Sequence, residues 1–185
     1  MRAILDRLNQ AALWASALCI AAIALMVGVQ LAGRILDGTL ALAGLPRTDF
    51  IILSLNEISG YLLASASFLA LAGTLKAGAH IRVTMVLSAF SERNRRLIEI
   101  WAFGFAAIAA AYMTWHLSYF AWISFKFDEV SAGVIRVPLF YPQAAMALGA
   151  AILTLAIIDE LVTVITVGRP SFRQAEDAIT LGKEG

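Results

Sequence analysis

The residue with the most chemical meaning in this sequence is Glu57, an acid set between apolar runs. Phe50-Ile51-Ile52-Leu53 precedes it, and Ile58 to Leu75 follows without a single Asp, Glu, Lys or Arg. A carboxyl group entering a membrane-depth helix is costly and marks either function or a structural partner. Three chemistries are open to it: a proton relay, a cation site, or an ion pair between helices. Arg34 and Arg136 are the partners to consider for the pair. A relay needs a second intramembrane acid to receive the proton, and none follows in the run. Structural roles, including simple reach to the headgroup region, are therefore favoured over ion coupling.

The two histidines, His80 and His116, raise haem or metal ligation. Such ligation needs both rings at one depth. His80 falls at the edge of an apolar run, whereas His116 lies sixteen residues into another. A hydrogen-bonded helix contact suits His116 better. Cys19 is the one cysteine, so neither an internal disulfide nor a CxxC redox pair is available. GxSxG, P-loop and HExxH patterns do not occur. No catalytic residue, metal or cofactor is expected, and the chain does not read as an enzyme.

The elements that carry these residues follow from charge distribution. Of 185 residues, 61% are hydrophobic and 15% are charged, against about 45–50% and about 25% in soluble domains. The charges cluster, leaving Leu8–Gly33, Ile58–Leu75, Ile100–Phe125 and Val137–Ile158 uncharged. A soluble helix needs one apolar stripe, whereas an apolar circumference over about 20 residues reads as a bilayer span. Pro46-Arg47-Thr48-Asp49 is a helix-start signal, which places the second helix from about Asp49 to Ala77 with Glu57 two turns inside. The expected architecture is all-α: one transmembrane domain over 1–168, with spans near 8–33, 50–77, 97–125 and 137–160, then a polar tail over 169–185. The first run is too long for a signal-peptide core.

Basic residues set the expected orientation. Arg2 and Arg7, then Lys76, Arg82, Arg93, Arg95 and Arg96, then Arg169, Arg173 and Lys183 share one side, ten in all. Arg34, Arg47, Lys126 and Arg136 share the other. The richer side is cytoplasmic, giving both termini inside. Arg93, Arg95 and Arg96 then read as a topology anchor. The mixed segment from Ala77 to Phe90 suits a short stretch lying along the cytoplasmic interface. Trp14 and Trp101 fall toward the inner ends; Phe50, Tyr119, Trp122, Phe125, Phe140 and Tyr141 fall toward the outer ends. Asp159 and Glu160 read as a solvated cap or as partners of inner basic residues. Ala24/Gly28/Ala32, Ala66/Ala70 and Ala145/Gly149 carry small residues at four-residue spacing, which permits close helix contact. A net charge of +1 with no long basic block excludes a nucleic-acid arm.

A transporter complete in itself would show repeats, interrupted helices and several buried polar groups. The span interiors here hold little beyond Gln30, Ser65, Ser67, Thr114 and His116. An accessory subunit of a larger assembly fits better than the alternative, a self-contained small carrier or channel using Glu57.

The stretch Asn56-Glu57-Ile58-Ser59-Gly60-Tyr61-Leu62, then Leu71-Ala72-Gly73 and Gly78-Ala79-His80-Ile81-Arg82-Val83, resembles the small membrane subunit of tripartite ATP-independent periplasmic (TRAP) transporters. Glu129-x-Ser131 followed by Val137-Pro138 and Pro142 carries the same resemblance, which covers about residues 5–165. Thr84 departs from it, standing where the family often has an acidic residue. The resemblance implies a larger membrane subunit that holds the substrate and sodium sites, and a periplasmic binding protein that delivers an organic acid. Uptake would be driven by an ion gradient across the bacterial inner membrane, with this subunit as a fixed scaffold. Glu57, Arg34, Arg136, His80, Arg82 and Pro138 are the candidate structural or interface residues.

Overall fold

The computed structural model describes residues 2–76 and 92–168. His80, Arg82 and Thr84, the expected interfacial segment and the tail after Gly168 lie outside the described residues. Among the described residues there are four helices: α1 (Arg2–Leu42), α2 (Leu55–Lys76), α3 (Glu92–Lys126) and α4 (Phe140–Val167). All four are long and apolar enough to cross a bilayer. The described chain is all-helical apart from one isolated bridge between Val130 and Pro138.

α1 runs well past the uncharged stretch that marks it in sequence. At 41 residues it is about 62 Å long. No proline interrupts it, and a few charged residues at its ends are compatible with helix. It stops where Gly44 adopts a left-handed φ of 72°.

α2 begins at Leu55, not near Asp49 as the proline signal led us to expect. Asp49 and Ser54 both take positive φ, 50° and 55°, which breaks any helix through them. The connection instead folds back along α1. The Thr48 amide and hydroxyl donate to Asp37 Oδ1 at 2.7 and 2.6 Å. The Ile52 amide donates to Gln30 Oε1 at 3.1 Å, and the Phe50 ring lies against Gly33. Glu57 therefore sits in the first turn of α2, not two turns inside.

α4 begins at Phe140, with Pro142 in the first turn, where a missing N–H costs nothing. It ends at Gly168, whose φ of 82° forms the cap as its amide donates to the Val164 carbonyl.

α4 occupies the centre. It packs against α3 on one side and α2 on the other, α1 packs against α2, and α1 touches α4 only lightly. The helices thus form a row, α1–α2–α4–α3, and not a closed square. The core where α1, α2 and α4 meet comprises Ala12, Leu69, Ala72, Ile152 and Ala156. Small residues set the spacing: a methyl on Gly149 would strike the backbone at Phe68 and Leu69, and one on Gly73 would strike Leu13. Ala66 is buried at the α1–α2 contact, where the Ser16 hydroxyl donates to its carbonyl at 2.8 Å. The third stripe, Ala24/Gly28/Ala32, is exposed, with nothing within 4 Å of a methyl placed on Gly28.

Candidate functional site beneath the α3–α4 loop

The loop from Phe127 to Leu139 is held in a compact fold by its own polar groups. Asp128 takes a φ of 48°, which turns the chain out of α3. The Glu129 amide donates to the Ser124 carbonyl at 3.0 Å, and the Ser124 hydroxyl donates to Glu129 Oε2 at 2.7 Å. The Leu139 amide closes the loop onto the Glu129 carbonyl at 2.9 Å. Inside it, the Ser131 amide donates to the Val137 carbonyl at 2.9 Å. The Ser131 hydroxyl donates to the Ile135 carbonyl and accepts from the Val137 amide, both at 3.2 Å. Pro138, exposed at the loop's exit, forms the bridge with Val130.

This loop is laid over the start of α2. The Ile135 amide donates to Ser54 Oγ at 3.0 Å. Gly133 rests on the Glu57 carboxylate so closely that a methyl there would overlap it. Glu57 Oε1 accepts from the Tyr61 hydroxyl at 2.9 Å, one turn on. Glu57 Oε2 is buried and has no hydrogen-bond partner. The carboxylate sits at the helix N-terminus, where unpaired backbone amides and the helix dipole favour negative charge. Arg34 and Arg136 are both exposed, and no ion pair joins either to Glu57. Burial under glycine, one phenol and the helix terminus account for the position of Glu57, without a guanidinium partner. Beside the loop, Phe125 and Phe140 pack at 5.1 Å between ring centroids, which ties the end of α3 to the start of α4.

The opposite ends of the helices are joined by charged groups. Lys76 Nζ pairs with Asp6 at 2.5 Å, joining the end of α2 to the start of α1. Arg96 donates to the Ile165 carbonyl at 2.5 Å and so satisfies a terminal carbonyl of α4. Arg95 lies 3.7 Å from Glu99 on its own helix. Glu160 is only 1% exposed, and α4 continues about two turns beyond it. It is therefore an engaged buried acid and not the solvated cap that was one sequence reading. Sequence reasoning missed Glu99, which is also buried. Its signal was its spacing: Glu99 falls on the same face of α3 as Phe103, Ala106 and Ala110, the face that meets α4.

Midway along the helices, Thr114 on α3 meets Thr154 on α4 at 3.0 Å. His116 does not make the hydrogen bond expected of it; its ring packs at a tilt against Tyr112, 4.4 Å between ring centroids.

A chain with four such helices, whose charged groups cluster toward the two ends, is a multi-pass helical membrane protein. Residues 38–167, the greater part of the chain, match the family described as Tripartite ATP-independent periplasmic transporters, DctQ component, and the chain belongs to that family. No curated protein and no solved structure shows a significant match.

Proposed function

We propose that this protein is the small accessory subunit of a TRAP transporter in a bacterial inner membrane. It pairs with a large membrane subunit, which carries the substrate and coupling-ion sites. A periplasmic binding protein delivers an organic acid to the pair, and an ion gradient drives uptake. The termini and the α2–α3 connection face the cytoplasm, in keeping with the count of ten basic residues against four. The α3–α4 loop over Glu57 then faces the periplasm. His80 and Arg82 belong to the cytoplasmic connection, and Pro138 to the periplasmic loop.

The observation that carries this reading is the family match joined to how the spans spend their polar groups. Ser16, Ser65, Ser67, Thr114 and Thr154 all bond to backbone or to each other, and Gln30 bonds to Ile52. Span hydroxyls satisfied within the protein in this way offer no line of free polar groups for a transport path, which supports a bracing role. The rival carrier reading has one observation in its favour, the unpartnered Oε2 of Glu57, and that atom is covered by Gly133. Co-expression of the affinity-tagged chain with the large subunit tests the proposal. Recovery of a stable stoichiometric complex from detergent is the expected result. Recovery of the tagged chain alone would contradict it.

A further inference from the structure

The face of α3 turned away from α4 carries Trp101, Phe105, Ile108, Tyr112, Trp115, Tyr119 and Trp122, all exposed. They alternate at spacings of four and three over three heptads. A period of 3.5 residues keeps the seven side chains on one narrow stripe, the geometry of a seam between helices. Six of the seven are aromatic.

An aromatic belt explains only the ends of this stripe. Trp101, Tyr119 and Trp122 fall near the two interfaces, where amphipathic rings are favoured. Tyr112 and Trp115 lie about 3 and 8 Å from the midpoint of the Asn94–Lys126 span, yet they are 67% and 72% exposed. No described group accepts from the Tyr112 hydroxyl, the Trp115 indole N–H or the adjacent His116 ring, which only packs at a tilt on Tyr112. Three polar groups are thus gathered on or beside one outward face at a depth where acyl chains offer no acceptor.

We propose that this stripe is the docking seam for a transmembrane helix of the larger membrane subunit, one with small residues to seat the rings and an oxygen acceptor near mid-depth. The inference rests on the subunit reading above. The area is sufficient: seven large side chains at these exposures present on the order of 1,000 Å², against about 800 Å² per partner in a stable interface. A second copy of this chain does not fit. A two-fold axis along the membrane normal would set ring against ring and hold the helices beyond the 8–10 Å of packed pairs.

Photocrosslinking in the co-expressed complex of full-length subunits tests this. A benzophenone amino acid replaces Trp115 in one sample and Leu25, beside the exposed Ala24/Gly28/Ala32 stripe, in another. The expected adduct forms at 115, with the mass of the large subunit. Tyr112→Phe combined with Trp115→Leu should lower complex recovery about tenfold. It should leave the melting temperature of the isolated chain unchanged, since neither side chain packs on α4; the crosslink decides the matter should that chain fail to fold. A chain-to-itself adduct at 115, adducts to lipid only, or a large-subunit adduct at 25 alone would overturn the seam while leaving the subunit reading intact. Failure of the unsubstituted chain to recover the large subunit would overturn both.

Discussion

Gly133→Ala is the sharpest probe of the packing over Glu57. Gly133 does not have a left-handed φ, so alanine carries no conformational penalty there. Its only cost is the overlap of the new methyl with the Glu57 carboxylate. Forcing a methyl into a filled site costs about 1–3 kcal/mol. For a chain of this size that lowers the melting temperature by about 2–12 °C. Glu57→Ala alone loses the Tyr61 hydrogen bond, about 1 kcal/mol, and a favourable charge at the helix start, about 0.3–1 kcal/mol. With the carboxylate gone, however, the Gly133 methyl has room. The two changes together should cost less than their sum by about 1–2 kcal/mol. Thermal melts of the purified chain in one detergent give all four corners of the cycle. Gly104→Ala, where nothing lies within 4 Å, is the control and should be neutral or stabilise by about 0.5–1 kcal/mol. If Gly133→Ala costs the same with and without the Glu57 carboxylate, the loop does not rest on Glu57 and the site as drawn is wrong.

Other consequences follow from the same geometry. Glu57→Gln keeps the acceptor for Tyr61 and should cost less than Gly133→Ala; adding Arg34→Gln or Arg136→Gln should be additive, and rescue in melting temperature by either would show an ion pair where none is drawn. Thr114→Val and Ser16→Ala each remove one contact between helices and should each lower stability by about 0.6 kcal/mol, read as small melting shifts; no change in either would show that these bonds do not hold the row together. A cysteine at Val130 should react with an impermeant maleimide from the periplasmic face, and one at Asn94 only after the membrane is opened; the reverse pattern would invert the proposed topology.

The four spans were legible because charge distribution alone reports a helix that is apolar all round. Their ends were not. Charges at either end of α1 did not stop it, since a helix may continue into the headgroups. Pro46 signalled a helix start that the positive φ values of Asp49 and Ser54 and the bonds to Asp37 and Gln30 displaced to Leu55. Glu57 was legible as the acid to watch, but its surroundings were not. Arginine partners were the natural guess from a list of charges, whereas the contact is with Gly133, 76 residues away and chemically silent in sequence. Glu160 looked like the end of a span because the uncharged run stops there; packing against neighbouring helices buries it instead. The heptad of rings on α3 was present in the sequence throughout. Only the structure shows that α4 covers the opposite face and leaves this one free.

In the proposed role this chain braces a transporter and does not itself transport. The most direct test is uptake of radiolabelled organic acid into liposomes under an imposed sodium gradient. The chain is reconstituted alone, and then with the large subunit and binding protein. No uptake above empty liposomes is expected for the chain alone, and gradient-dependent uptake only when all three components are present. Sodium-driven uptake by the chain alone would contradict that role and would make Glu57 part of a transport path.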